Sequence, residues 1–329
     1  MLTLPSFEMI TPESLDEAIG LLAEHAGRAR VIAGGTDLLV NMKHRVSEPE
    51  VLINLQRVPG LNGVCLELDG GLSVGAMTPL AHIRDSEAVR GHSPALAQAA
   101  GLVASPQIQN MGTLGGNLCL DTRCVYINQT YFWRQALGFC LKKDGDLCHV
   151  IKGGQRCVAA QSSDTVPPLM ILMAEVEIVG PDGLRRAPVE SLYKKDGASH
   201  LTLAPDEIVT RVFIPRPAAG LRTTYQKYRV RQAIDFPVLS LAFGIVVDDQ
   251  DRCTQVRAAA TCMGSFPRRI NKIEHLGGDV PLSDDAIDAI ADQCQRQINP
   301  LDNITIDAAW RKTMIPTLTR RALVQLRGF

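Results

Sequence analysis

The sequence predicts an α+β protein: two small mixed units followed by a C-terminal α+β domain. Three observations predict this. Strand-like and helix-like segments alternate across residues 1–217. A proline-rich boundary, Ile214-Pro215-Arg216-Pro217, then leads into a linker. Beyond it a run of strands precedes a run of helices. The expected units are residues 1–57, 58–217 and 218–329, with 119–160 interrupting the second. A chain of 329 residues, 46% of them apolar, can bury a core of that size.

The elements follow in order. Thr11 as N-cap and Pro12 at the first helical position predict the first helix, with Leu15, Ala18, Ile19 and Leu22 on one face. A strand is expected over 30–33. Gly34-Gly35-Thr36 breaks it, and Leu38, Leu39 and Met42 take up helical spacing. Strands are expected over 51–55 and 72–75, and a mostly helical stretch over 83–103. The C-terminal domain is expected to hold strands over 225–230, 238–247 and 255–263, then helices over about 283–298 and 306–326.

The net charge of −1 gives no reason to expect nucleic acid or an acidic membrane surface as partner. The apolar run 238–247 is ten residues, too few to span a bilayer. The N-terminal stretch MLTLPSFEMITPESLDEAIG carries acidic residues and no charged-then-apolar signal pattern, so a cytoplasmic location is expected.

Two glycine motifs stand out. Val31 to Val40 reads strand, glycine pair, helix start, an arrangement in which free N–H groups favour an anion such as phosphate. The third glycine of the G-x-G-x-x-G fingerprint is absent, and a plain strand–helix turn fits equally. Met111 to Leu118, M-G-T-L-G-G-N-L, offers a second turn or cradle, with Thr113 and Asn117 as side-chain partners. One motif in each mixed unit suggests a long diphosphate cofactor between them.

Nine cysteines are present, and Cys119, Cys124, Cys140, Cys148 and Cys157 fall within 39 residues. The last four are separated by 15, 7 and 8 residues, without the close pairs of structural zinc or the compact ferredoxin run. A redox cluster, a zinc site and buried free thiols all remain open on spacing. Tyr126, Tyr131, Phe132, Trp133 and Phe139 would shield a cluster, and Lys142, Lys143, Lys152 and Arg156 would offset its charge. His149 reads as a loop histidine, and spacing alone does not set Cys119 apart.

The motifs A-G-G-T-D-L-L and T-L-G-G-N-L, with the later S-S-D-T-V-P-P-L-M, resemble those of the FAD-binding subunits of the xanthine oxidase family of molybdenum hydroxylases, over nearly the whole chain. The stretch G-G-N-L-C-L-D-T-R-C-V-Y-I-N-Q-T-Y-F-W-R and the three later cysteines are similar to a narrower group within it, the 4-hydroxybenzoyl-CoA reductase β subunits, where an inserted loop holds a 4Fe-4S cluster. The resemblance implies a two-part FAD-binding domain of the vanillyl-alcohol-oxidase (PCMH) type and a C-terminal domain of the CO dehydrogenase flavoprotein type. It implies that Val31, Ile32, Ala33, Gly34, Gly35, Thr36, Asp37 and Leu38 wrap the FAD diphosphate. Thr113, Leu114, Gly115, Gly116 and Asn117 would complete that cradle. Val103 would lie near the flavin, Asp164 would hydrogen-bond its surroundings, and Val209 and Lys227 would line its ring. The cluster ligands would be Cys124, Cys140, Cys148 and Cys157, with Cys119 a neighbour. Without the resemblance, Asp164 reads as an N-cap, Lys227 as part of a solvated basic stripe with Arg229 and Arg231, and Asp235 as a turn residue.

The function so implied is electron transfer, with no catalytic residue on this chain. A large subunit would hold the molybdenum cofactor and the substrate, and a small subunit two 2Fe-2S clusters, in a dimer of three-subunit units. Reduced ferredoxin or a similar carrier would feed the 4Fe-4S cluster, then FAD, the 2Fe-2S clusters and molybdenum, for reductive dehydroxylation of an aromatic thioester in anaerobic aromatic degradation. An alternative is a related aldehyde or N-heterocycle dehydrogenase with outward electron flow. A third, of another class, is a zinc-stabilised, non-catalytic nucleotide-binding protein.

Overall fold

The computed structural model describes residues 2–328 and contains three β-sheets. The first is parallel, with β1 (Glu8–Ile10), β2 (Ala29–Ile32) and β3 (Val51–Asn54) in the order β1-β3-β2. Parallel neighbours need crossover connections, and α1 (Leu15–Glu24) and α2 (Leu38–Lys43) supply helices for them. Helix α1 begins later than Thr11 and Pro12 suggest. Ser14 is its N-cap, extended at φ −140° and ψ 160°, with Oγ accepting from the Glu17 N–H at 3.1 Å. The Glu17 carboxylate in turn accepts from the Glu13 N–H at 2.8 Å, so the serine–glutamate pair outcompetes the earlier threonine. Ala18, Ile19 and Leu22 form the buried face as expected.

The second sheet contains β4 (Val64–Leu66), β5 (Leu72–Gly75), β6 (Glu175–Gly180), β7 (Gly183–Pro188) and β8 (Ile208–Ile214), in the order β4-β5-β8-β6-β7. Every neighbouring pair is antiparallel, in contrast to the first sheet. Between β5 and β6 lie α3 (Leu80–Asp85), α4 (Glu87–His92), α5 (Pro94–Leu102), α6 (Pro106–Met111), α7 (Leu114–Leu118), α8 (Tyr131–Ala136) and α9 (Val166–Ile171). The helical stretch expected over 83–103 is therefore three helices. Ser86 restarts the chain by accepting from the Val89 N–H at 3.4 Å, and Ser93 precedes Pro94, whose ring disfavours a helical residue before it.

The third sheet is antiparallel, with β9 (Leu221–Tyr228), β10 (Leu239–Val247), β11 (Cys253–Thr261) and β12 (Arg268–Ile270) in the order β12-β11-β10-β9. Helices α10 (Asp284–Gln297) and α11 (Ala308–Arg327) follow. Leu239, Leu241, Phe243 and Ile245 pack in the core that includes Ile287, Ile290, Leu318 and Leu323 of those helices. Ala242 and Ala259 belong to the opposite core, with the residues of α5 and α9. Both faces of β10 are covered, which is why its sequence is a continuous apolar run. Among the described residues no helix is long and apolar enough to cross a membrane.

Candidate functional site

Strand β2 ends at Ile32, and the chain turns through Gly34 and Gly35 into α2. Gly35 has φ +69°, a conformation glycine adopts without strain. A Cβ on Gly34 would overlap the carbonyl of Met111, so the first glycine motif packs directly on the start of the second. Among the described residues, the N–H groups of Gly34, Gly35, Thr36, Asp37 and Leu38 find no acceptor within the protein. Successive free donors at a strand–helix turn form a concavity suited to a diphosphate.

The second motif is built differently. Its donors are engaged internally: Leu114 N–H with the Thr78 carbonyl at 3.0 Å, Gly115 N–H with the Ala76 carbonyl at 2.8 Å, and Gly116 N–H with Thr113 Oγ1 at 3.1 Å. A Cβ on Gly115 would lie 2.8 Å from the Ala76 Cβ, so this glycine permits close packing of α7 on the chain after β5. Asn117, at the end of the motif, accepts three hydrogen bonds at Oδ1, from Ser163 Oγ (2.6 Å), Thr165 Oγ1 (2.7 Å) and Thr165 N–H (3.1 Å). Asn117 thereby fixes the turn that carries Asp164.

Asp164 is buried and accepts from Tyr225 Oη at 2.6 Å and Lys227 Nζ at 3.0 Å. Burial pushes its carboxyl above the ordinary range, and the Lys227 charge opposes that rise. Lys227 Nζ also donates to the Leu102 carbonyl at 2.9 Å, beside Val103, which caps α5. With its side chain 1% exposed, Lys227 is no part of a solvated stripe. Arg231, 66% exposed, pairs with Asp235 in a surface turn instead. Val209 is buried on β8, next to Thr210, whose carbonyl accepts from the Ala76 N–H at 2.9 Å. The glycine turn at 34–35, the 113–117 segment, Asp164, Lys227 and Val103 thus form one connected series, with Val209 alongside.

In the 119–160 loop, Cys124 and Cys157 are buried, and Cys140 packs against them with Ile127, Val125, Tyr126 and Val150. Cys140 and Cys148 lie near Cys124, and Cys140 near Cys157. Burial pushes both Cys124 and Cys157 up to about 11. Peptide N–H groups donate to two of the sulfurs, Ala159 to Cys157 (3.4 Å) and Ile151 to Cys148 (3.5 Å), while the Ile127 N–H donates to the Cys124 carbonyl at 3.2 Å. Cys119 stands apart, beside Tyr193, with its thiol pushed to about 12 by burial. His149 stacks on Tyr126 at 4.9 Å and bonds the Phe139 carbonyl at 2.6 Å. Among the described residues no three His, Cys, Asp or Glu side chains are grouped to hold a metal ion.

Sequence reading missed the groups that tie these parts together. Arg123, buried beside Cys124, is ion-paired with Asp37 of the first glycine motif, so that carboxylate is engaged by the protein itself. Burial lowers the Arg123 guanidinium to about 10, still charged at neutral pH. Lys142 donates to Asp121 Oδ1 (2.7 Å), Thr122 Oγ1 (2.7 Å) and the Gly197 carbonyl (2.8 Å). Tyr225 had a signal: it precedes Lys227 by two residues, so both point to one face of β9. Arg123 had none, because Asp37 lies 86 residues away, and Lys142 stands out in the sequence only as a charge near the cysteines, not as the partner of Asp121.

Residues 5–217 match the family described as FAD binding domain in molybdopterin dehydrogenase, and residues 223–326 match CO dehydrogenase flavoprotein C-terminal domain. The chain is 25% identical over 311 residues to the xanthine dehydrogenase FAD-binding subunit of Escherichia coli, covering 94% of this chain and 92% of that one. It is 32% identical over 241 residues to an Escherichia coli aldehyde oxidoreductase FAD-binding subunit, covering 70% and 75%. Its fold superimposes with a TM-score of 0.79, at 25% identity, on carbon monoxide dehydrogenase from Hydrogenophaga pseudoflava lacking the Mo-pyranopterin moiety of its cofactor, covering 98% and 97% of the two chains. The free-donor turn, the Asp164–Lys227 pair and these matches lead to one conclusion: the chain belongs to the FAD-binding subunits of the xanthine oxidase family of molybdenum hydroxylases.

Proposed function

We propose that this FAD subunit also carries a 4Fe-4S cluster on Cys124, Cys140, Cys148 and Cys157, and that it serves a complex of the 4-hydroxybenzoyl-CoA reductase type. The observation that carries the reading is the loop itself. It packs Cys140 against buried Cys124 and Cys157 in mostly apolar surroundings and aims peptide N–H groups at the sulfurs of Cys148 and Cys157. A four-iron cluster presents four different metal atoms, so its thiolates need not converge on one point. Tetrahedral zinc requires that convergence.

When bound, FAD exchanges electrons in pairs or singly and so can join a one-electron centre to a two-electron one. The residues of this chain do the binding and orienting. The 34–38 turn offers donors to the diphosphate, Asn117 holds the 163–165 turn, and the Asp164–Lys227 pair presents a buried cation beside Val103. No residue of the chain is assigned substrate chemistry. The partners in this reading are a large molybdenum-cofactor subunit, a small subunit with two 2Fe-2S clusters, and a ferredoxin-class electron donor.

A second reading, outward electron flow in a related dehydrogenase, draws support from the names of the similar proteins, which include xanthine and carbon monoxide dehydrogenases. The test is electron paramagnetic resonance of the dithionite-reduced complex, with iron, sulfide, flavin and molybdenum quantified, and turnover assayed in both directions. A 4Fe-4S signal with ferredoxin-driven reduction of 4-hydroxybenzoyl-CoA is expected. Zinc without iron or sulfide would remove the cluster, absence of molybdenum would remove the complex, and turnover only in oxidising an aldehyde or N-heterocycle would establish the second reading.

A further inference from the structure

We infer that the cysteine loop clamps the helix that follows the FAD cradle, so that the state of the loop and the binding of FAD are coupled through Arg123 and Arg134. Helix α2 begins where the run of free N–H groups ends, and it is six residues long. A helix that short has no stability of its own, so its position is set by what holds it. The loop holds it at both ends. At the start, Asp37 is ion-paired with Arg123 and accepts from the Asp121 N–H at 3.2 Å. In the middle, Asn41 Oδ1 accepts from Arg123 Nη1 at 3.2 Å, while Asn41 Nδ2 donates to Asp37 at 3.3 Å. At the end, Arg134 Nη2 donates to the carbonyls of His44 (2.7 Å) and Arg45 (3.2 Å), acceptors a helix terminus leaves without partners.

Both arginines are buried, at 8% and 2% exposure, and each is tied to the cysteines. Arg123 directly precedes Cys124. Arg134, on α8, borders the same small cavity as Cys140 and His149. Loading or ordering the cysteines therefore fixes the arginines, the arginines fix α2, and α2 fixes the direction of the N–H groups at 34–38. Coupling of this kind is reciprocal: whatever FAD gains from an ordered loop, the loop gains from bound FAD. The arginine geometry stands without the cluster; only the metal-removal arm below rests on the 4Fe-4S reading.

The test uses the full-length protein stripped of FAD and then titrated with it. By amide hydrogen exchange, FAD is expected to slow exchange in 121–136 as well as in 38–45. Arg134→Gln and Arg123→Gln are expected to raise the FAD Kd about ten-fold or more and to abolish the protection of 121–136. Phe132 is 81% exposed on α8 and so shields nothing in the loop, contrary to the expectation from sequence, and Phe132→Ala should leave both unchanged. Chelating iron from the wild type is expected to raise the FAD Kd in the same way. Protection confined to 38–45 in the wild type would overturn the clamp, and that measurement needs neither a variant nor a metal. So would folded arginine variants that bind FAD as the wild type does. Failure to find iron would sink the cluster while leaving the exchange result to decide the clamp.

Discussion

Replacing Asn117 with alanine tests how the turn that carries Asp164 is held. Its Oδ1 accepts from Ser163 Oγ, Thr165 Oγ1 and Thr165 N–H, all buried. Removing the amide strands these donors. Ser163 Oγ has a fallback in Thr165 Oγ1 at 3.5 Å, which leaves about two donors unpaired. At about 1–3 kcal/mol for each unsatisfied buried donor, the loss is about 2–6 kcal/mol. At roughly 2 °C per kcal/mol for a chain of this size, Tm should fall by about 4–12 °C. Asp164 sits between the two released residues, so FAD affinity should fall as well. Thermal unfolding of apo- and holoprotein, with flavin fluorescence titration, measures both. An Asn117→Ala protein within about 0.5 kcal/mol of wild type, with unchanged FAD affinity, would refute the assignment of Asn117 as the holder of this turn.

Two further outcomes follow from burial. The Cys124 and Cys157 thiols, pushed up to about 11, remain protonated at neutral pH in metal-free protein, so alkylation should be slow there and accelerate as pH rises toward that value. Mass spectrometry after iodoacetamide at stepped pH reads this against exposed Cys65, and rapid modification of both at pH 8 would contradict the burial argument. Arg311, fully buried on α11, donates to the carbonyls of Ile306, Val238, Cys262 and Leu301. Arg311→Met should cost at least about 1–3 kcal/mol in urea unfolding by orphaning these neutral acceptors, and a loss below about 1 kcal/mol would show that they find other partners.

Much of the architecture was legible from local pattern. The apolar face of α1, the strand–Gly–Gly–helix turn and the strands-then-helices order beyond residue 217 are encoded by short-range periodicity, and each appears in the structure. Errors fell where two local signals competed. Ser14 with Glu17 displaced Thr11 as the first cap, and Ser86 and Ser93 split one helical stretch into three. The antiparallel pairing of the second sheet was not legible, because β8 joins β5 across more than a hundred residues of intervening chain.

The sequence by itself determined the parts: two glycine turns, a cluster of cysteines in an aromatic loop, and the motifs that resemble those of FAD-binding subunits. Only the tertiary structure decided how they are joined. The first glycine turn keeps its N–H groups free while the second spends its own on packing, a difference that identical-looking G-G pairs do not reveal. The Asp37–Arg123 pair and the Arg134 contacts with His44 and Arg45 span 86 and about 90 residues of chain. Local propensity carries no information about such partners; they exist because folding buries the two arginines, and a buried guanidinium must find acceptors wherever the fold brings them.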